Sequence, residues 1–378
     1  MNELSQLMRE IAEQVRGYDV GASALRVARR RRNLRRTAPI VAALLLVALI
    51  AGVWLPLHRA DAPSTSPLFW LPSRVAAPDA STPYLPTDRA VGLAALVYSP
   101  CPQDCWQIVV MRDGTQYQLG SPAGQPAHKL SAGLSPDGRW LAYPDAKGDL
   151  ALRDLTAPTT VTFPGMKPGG WSPGNRYLAL VPVNYRSPAP VTVVDLTTVT
   201  AIRTVSMREP QVGNLTEFAA ILDTGELLWV AAEMVGRDLL AESYQVQFTD
   251  LDGQVLRQWV LQPPASSRYL DPTGAIIPTA DGRLIVRFTA MYDWGMAPGP
   301  ADIVEASTGA VLARYPVPPA TSQYDVWIAA GLVGDQLLLA HGQPTQPQVA
   351  LMYPTNSKPQ PVSHIDGGYG APVLPGNS

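Results

Sequence analysis

The chain has 378 residues, and its 29 Lys and Arg nearly balance its 31 Asp and Glu. The charges are unevenly distributed. Residues 1–36 contain nine Arg and four acidic side chains, a net charge of +5. The remaining residues contain 20 basic and 27 acidic side chains, a net charge of −7. A mildly acidic main part excludes nucleic-acid binding there, because that function requires a basic surface.

The first segment, residues 1–37, is predicted to be cytoplasmic and helical. Leu4, Leu7, Met8, Ile11 and Val15 recur at helical spacing and form one apolar face. So short a segment has no core of its own in which to bury that face. We expect it to lie on the membrane surface, to pair with a second copy or to dock on a partner.

Residues 38–57 form an uncharged apolar run that is long enough for a transmembrane helix. Six Arg lie between residues 29 and 36, whereas only His58, Arg59 and Asp61 follow closely. Basic residues stay on the cytoplasmic side, so we expect a single-pass protein of the cell membrane with an extracytoplasmic main part.

Two other interpretations of this run are a buried core helix and a cleaved signal peptide. Ala60-Asp61-Ala62 resembles a cleavage site of the signal-peptide type. The run is longer than a usual signal-peptide core, and Pro63 would follow the cut, where its missing N–H suits a protease poorly. An uncleaved anchor is therefore favoured.

Residues 58–87 contain six prolines among Ala, Ser and Thr, which predicts a semi-extended extracytoplasmic spacer. Within it, Phe69, Trp70 and Leu71 are too apolar for a pure linker. We expect these three residues to dock on the domain that follows.

Residues 88–378 contain a repeat in which a turn is followed by an apolar strand. The two best copies are Ser135–Ala142 (SPDGRWLA) and Ser172–Ala179 (SPGNRYLA). Looser copies occur at residues 223–230, 281–286 and 334–340, with an earlier relative at 89–99.

Each copy is followed by a second hairpin, two of them with an Asp-Gly turn that strongly favours hairpins. Six such units of about four strands predict an all-β fold, a six-bladed β-propeller. Because a propeller must close its ring, the C-terminal segment Ile365–Leu374 is predicted to supply the innermost strand of the first blade. The tryptophans that recur with the blades are expected to pack between them.

The Ser-Pro-Asp-Gly-Arg-Trp-Leu-Ala copy, its partner at 171–179 and Val-Val-Asp-Leu at 193–196 resemble repeats of TolB-like and WD40-like propellers. That resemblance implies a binding scaffold. The whole layout is similar to a family of actinobacterial single-span membrane proteins, which implies an anti-sigma-like regulator whose N-terminal helix binds a sigma factor. The chain lacks the His-x-x-x-Cys-x-x-Cys zinc motif that many anti-sigma factors carry.

Cys101 and Cys105 are the only cysteines. Four residues apart and facing an oxidising compartment, they predict a disulfide that staples a hairpin. The alternative, a metal site, would need two more ligands, and no His or other Cys is close in sequence. No metal or cofactor is expected.

One segment is a candidate contact surface. Met291, Tyr292, Trp294 and Met296 belong to an aromatic stretch that we predict to be a long loop of the fifth unit. Exposed aromatic and Met side chains suit a contact with a partner, and local packing over the blade edge is the alternative.

The sequence contains no Gly-x-Ser-x-Gly elbow and no glycine-rich phosphate loop, so it predicts no enzyme. Our first hypothesis is a membrane-anchored propeller that binds an extracytoplasmic protein or small ligand and signals inward. The alternatives are a cell-envelope scaffold without signalling and a propeller hydrolase or lyase that uses acids in the central channel.

Overall fold

The computed structural model describes residues 70–376, with gaps at 102–104, 120–131, 185–187, 207–213, 235–240, 265–275, 293–294, 323–324, 344–345 and 355–357. The predicted cytoplasmic helix, the predicted span at 38–57 and the spacer up to Phe69 lie outside these residues. Within the described part of the chain, no helix has the length and apolarity needed to cross a membrane.

The described residues form 25 strands. In chain order they are β1 (Arg74–Val75), β2 (Ala94–Ser99), β3 (Ile108–Met111), β4 (Gln116–Gln118), β5 (Gly133–Leu134), β6 (Trp140–Pro144), β7 (Leu150–Asp154), β8 (Thr159–Phe163), β9 (Met166–Trp171), β10 (Tyr177–Pro182), β11 (Val191–Asp195), β12 (Thr200–Val205), β13 (Asn214–Ile221), β14 (Leu227–Met234), β15 (Ala241–Thr249), β16 (Val255–Leu261), β17 (Ile276–Pro278), β18 (Arg283–Tyr292), β19 (Gly295–Glu305), β20 (Val311–Tyr315), β21 (Val326–Val333), β22 (Gln336–Gly342), β23 (Gln348–Met352), β24 (Gln360–Ile365) and β25 (Tyr369–Val373).

These strands form six sheets, and the predicted six-bladed β-propeller is confirmed. From the inner strand outward, the blades are β25-β2-β3-β4, β5-β6-β7-β8, β9-β10-β11-β12, β13-β14-β15-β16, β17-β18-β19-β20 and β21-β22-β23-β24. Neighbouring strands within each of these blades run antiparallel, as hairpin connections require.

The burial pattern explains why these sequences form blades. The second strand of blade three, β10, is buried at five of its six positions because neighbouring blades cover both faces, whereas its outer strand β12 is exposed at five of six. Six hydrophobic clusters of described residues lie between neighbouring blades. Burial between sheets is thus the main force that holds the ring together.

The repeated Ser-Pro turn connects an inner strand to the second strand. In blade two, the Ser135 hydroxyl donates to Asp137 and accepts a hydrogen bond from the Trp140 amide at 2.8 Å. The amide of Asp137 donates to Asn175 of the blade-three turn at 3.0 Å, and the amide of Gly174 there donates to Asp223 of blade four at 2.8 Å. The motif therefore links neighbouring blades as well as closing its own turn.

The C-terminal segment closes the ring, as predicted. β25 pairs with β2 in antiparallel orientation, with Val97 opposite Val373 and Ser99 opposite Tyr369. Leu374 is fully buried in the cluster between blades six and one. The first blade therefore combines strands from both ends of the domain.

Residues 70–89 run over the surface of the ring, mostly along its outer edges, and we call them the belt. β1 adds in parallel to the outer strand of blade six, and Tyr84 bridges to Gln118 on the outer strand of blade one. Leu71 and Val75 are buried, with Trp70 packed against the same cluster. The structure thus places residues 70–87 with the propeller, whereas the sequence analysis assigned them to the spacer and expected only Phe69–Leu71 to dock.

Arg153 of β7 fastens the end of the belt to blade two. Its side chain is fully buried, and its guanidinium donates to the carbonyl oxygens of Arg89 at 2.6 Å and of Pro86 at 3.3 Å. It also donates to Ala157 and Thr159 in the hairpin that follows β7. Charge-assisted hydrogen bonds to several carbonyl groups compensate for the removal of this cation from water.

We predict that Gly138→Ala destabilises the ring far more than Gly148→Ala. Both glycines have a positive φ, 73° and 83°, so each alanine has a left-handed backbone and costs about 1–2 kcal/mol. A Cβ at residue 138 would also overlap the Ala94 carbonyl oxygen of blade one, whereas a Cβ at residue 148 meets nothing. Denaturant unfolding of both variants should show a further loss of about 1–3 kcal/mol for Gly138→Ala; equal losses would contradict the tight contact between blades one and two.

Candidate functional site

A cavity of about 290 Å³ lies at one mouth of the central channel, where the turns between the inner and second strands meet. It opens to solvent and is lined by blades two, three, five and six, the belt and the C-terminal tail. The lining residues are Trp70, Pro136, Trp171, Pro173, Ile277, Pro278, Thr279, Ala280, Ala330, Gly331, Leu332, Val333, Leu338, Pro375 and Gly376.

The walls of this cavity are apolar and stiff. Four of the lining residues are prolines, whose rings lock the backbone and lose little freedom when a ligand binds. Trp70 forms the belt side of the wall, and the Arg112 guanidinium lies 6.0 Å from its ring centroid. This distance permits a cation–π attraction that holds the indole in place.

No lining residue of the cavity carries a charged side chain. The arrangement suits an uncharged, apolar ligand group, because nothing on the wall would compensate for the desolvation of a charge. Most ligand pockets are lined in the same predominantly apolar way. Its volume is at the lower end of the range for small-molecule sites.

A second, smaller cavity of about 20 Å³ lies deeper in the channel, between blades three, four and five. This space is sufficient for about one water molecule. Arg287 lines it and donates from Nη1 to the Ala329 carbonyl at 3.2 Å. Trp171 lines both cavities, and its buried indole N–H has no hydrogen-bond partner in the described structure.

A polar cluster lies in blade six, at the end of the sheet that is opposite to the cavity. His341 is buried, its Nε2 is 2.6 Å from Asp325 Oδ1, and its Nδ1 is 2.8 Å from the Gln348 side-chain nitrogen. The Trp327 ring stacks on the imidazole, with centroids 3.8 Å apart and planes 2° apart. Because the Gln348 side-chain nitrogen can only donate, Nδ1 accepts and the proton lies on Nε2, facing the carboxylate.

This cluster stabilises blade six and does not form a catalytic dyad of the usual kind. Both ring nitrogens of His341 are engaged within the protein, so neither can take a proton from a nucleophile. Burial lowers the pKa of His341, and hydrogen bonding, from Thr321 above all, lowers that of Asp325. A neutral imidazole beside a charged carboxylate is the consistent state.

The structure places the two cysteines far from the cavity. Cys101 and Cys105 form a disulfide with their Cα atoms 5.8 Å apart, in the connection between β2 and β3. The Ser99 hydroxyl donates to the Cys101 carbonyl at 3.0 Å. The disulfide therefore lies at the other end of blade one.

The predicted contact loop is shorter than expected. β18 continues to Tyr292 and β19 begins at Gly295, with Met291 opposite Met296, so the segment is the end of a hairpin. Trp294 lies outside the described residues. The hairpin end is also at the other end of the ring from the cavity, and the structure does not bring it into the candidate site.

Sequence reasoning missed most of the cavity wall. The prolines at 136 and 173 were recognised only as turn residues, and Trp171 only as a packing residue. The available signal was the Ser-Pro pair: it occurs at the same point of two neighbouring units, so its two proline rings must lie at the same mouth of a closed ring.

No family model matches the chain, and no curated protein matches it in sequence. Similar solved structures include the dihydro-heme d1 dehydrogenase NirN in complex with DHE, at 14% identity and a TM-score of 0.37 over 76% of this chain and 56% of that one. The β-propeller domain of Cps50 (Swd1) from Myceliophteria thermophila is 16% identical, with a TM-score of 0.36, over 63% of this chain and 72% of that one.

Porphyromonas gingivalis dipeptidyl peptidase 4 is 13% identical, with a TM-score of 0.35, over 69% of this chain and 42% of that one. The chain thus spans about half the length of NirN and less than half of the peptidase. These similarities are too low to transfer an activity, and the fold assignment rests on the sheet topology.

We predict that acidification weakens the fold through His341. Its folded-state pKa is below the ordinary value of 6.5. As the pH is lowered below 6.5, the unfolded chain therefore takes up the proton before the folded chain does, and the free energy of unfolding decreases. The loss ends once the pH is below the folded-state pKa. The test is the free energy of unfolding measured between pH 7.5 and 5 for the unmodified chain and for His341→Phe, which keeps a ring against Trp327. The pH dependence should be flatter for the variant. Parallel curves would contradict a neutral His341.

Proposed function

We propose that the protein is a binding module whose ligand site is the channel-mouth cavity. The observation that supports this most directly is an open, uncharged, proline-walled cavity of about 290 Å³ at the centre of a propeller. The cavity wall is assembled from four blades, the belt and the tail, so its shape is fixed by the closed ring. The bound group is an apolar part of a small molecule or of a partner protein.

We further propose that this module is extracytoplasmic, held by an uncleaved span at residues 38–57, and that it passes its state inward. Trp70 supports the idea, because a residue of the cavity wall lies in the segment that continues along the chain toward that span. The partner inside would be a sigma factor bound by the N-terminal helix. A ligand that contacts Trp70 would favour one position of the belt and so bias the inner partner.

A purely structural scaffold of the cell envelope is the second candidate. The observation in its favour is the apolar side chains exposed on the outer strands of blades four and five, such as Val255, Val260 and Leu312. In that case the span would only tether the propeller. Replacing residues 1–57 by an unrelated anchor separates the two candidates, since a scaffold keeps its function.

We predict that Ala280→Phe abolishes ligand binding. Ala280 is exposed in the turn before β18 and lines the cavity, so a phenylalanine there would occupy the mouth without disturbing the core. Ala146→Phe is the matched control, because Ala146 is an equally exposed turn residue at the other end of blade two.

The full chain is first purified in detergent, and the molecules that remain bound to it are identified. Each of these molecules is then titrated into the unmodified chain and into the two variants. Ligands should raise the melting temperature of the unmodified chain and of Ala146→Phe, and leave that of Ala280→Phe unchanged. A ligand that stabilises all three equally would place the binding site elsewhere.

The topology gives a separate prediction. Protease added to intact cells should remove the propeller and leave a membrane-bound fragment that contains residues 1–57, as detected with an N-terminal tag. The proposal of an extracytoplasmic module is abandoned if the propeller survives in intact cells and is digested only after lysis.

A further inference from the structure

The outer surface of the ring is strongly asymmetric. The belt covers the outer edges of blades six and one and reaches blade two. Among the described residues, the large apolar side chains that are exposed lie almost entirely on the other flank. They are Ile202, Val255, Leu256, Val260, Val311 and Leu312 on the outer strands of blades three to five, and Tyr353 elsewhere.

β16, the outer strand of blade four, carries three of these exposed apolar side chains. Among the described strands it is bonded to β15 alone, so its other side presents free backbone groups. Its sequence, VLRQWVL, contains no Lys or Pro, the residues that usually guard an edge. Its one charge, Arg257, is turned inward, 2.6 Å from Glu226 and 3.9 Å above the Phe248 ring.

The exposed positions of β16 follow a pattern. Leu256 and Val260 are 50% and 56% exposed, and Gln258 between them is also exposed. Arg257 and Trp259 alternate with them and pack inward, the indole N–H of Trp259 donating to the Ala306 carbonyl of blade five at 3.2 Å. The strand therefore has an apolar-polar-apolar outer face over five residues.

We propose that β16 pairs with β16 of a second copy of this chain, antiparallel and centred on Gln258. In that register the strand is complementary to itself. Leu256 lies opposite Val260 of the second copy, Gln258 opposite its own equivalent, and Arg257 opposite Trp259 of the second copy. Apolar side chains then meet apolar ones and amide meets amide, pairs that stabilise a sheet.

The outer strand of the next blade, β20, is less suited to such pairing. In β20, the same operation centred on Ala313 would place Leu312 opposite Arg314, whose guanidinium is held by Asp302 at 2.6 Å and 2.7 Å. A two-fold axis through one residue pair produces a closed dimer rather than a growing fibre, because both copies use the same strand in the contact. The chain itself provides a precedent for edge addition, since β1 extends blade six in this way.

The test is thiol cross-linking of the full chain carrying Gln258→Cys. The two native cysteines are joined in a disulfide, so the introduced thiol is the only free one. A two-fold axis at this residue brings the two thiols within disulfide distance, and mild oxidation should convert most of the protein to a covalent dimer. Val311→Cys, at a similarly exposed position on β20, should yield little.

A second change shows whether strand pairing causes the cross-link. Val260→Lys added to Gln258→Cys should reduce the dimer yield at least tenfold, because it places a cation against Leu256 of each copy, whereas Val311→Lys added instead should have no effect. Both sites are at least half exposed, so the variants should melt with the unmodified chain. Equal yields from Gln258→Cys and Val311→Cys, or a yield that Val260→Lys does not change, would overturn the proposal.

Discussion

Hydrogen bonding between the two ends of the domain is the constraint on which the rest of the ring depends. A propeller that does not close leaves two sheets with uncovered faces and edges. Here β25, from the end of the domain, completes the blade that β2 begins, so the ring is closed from inside. The belt closes the same seam from outside, because it crosses from blade six over blade one and is fastened to blade two by Arg153.

The candidate site depends on this closure. Two of its walls, Trp70 and the Pro375-Gly376 pair, belong to the belt and to the tail that follows β25, the two segments that seal the seam. The Gly376 amide donates to the Leu134 carbonyl of blade two at 2.8 Å, which holds the tail across the channel mouth. Opening of the seam would therefore remove the cavity before any blade unfolds, so occupancy of the cavity and closure of the ring should stabilise each other.

The sequence predicted the blades well because each blade is a local structure. A hairpin is determined within about 40 residues, by turn residues such as Asp137-Gly138 and by the apolar runs beside them. The role of the tail could also be predicted, because a propeller must close its ring. The belt and the cavity were not predictable in the same way. The docking of Trp70 and Leu71 could be predicted from their apolar run, but Val75 looks like an isolated apolar residue in a proline-rich linker, and only its pairing with a strand nearly 300 residues later in the chain shows its role.

The same distinction explains why the repeat motif says so little about function. Its polar atoms are already engaged: Ser135 closes its own turn, and Asp137 binds the turn of the next blade. What remains for a ligand are the apolar proline rings of the turns and two features outside the repeat, Trp70 of the belt and the tail. A change of ligand therefore requires only changes at the mouth, and the ring beneath can stay constant. In the binding module that we propose, ligand specificity would be set where the blades depart from the repeat and where the belt and the tail meet.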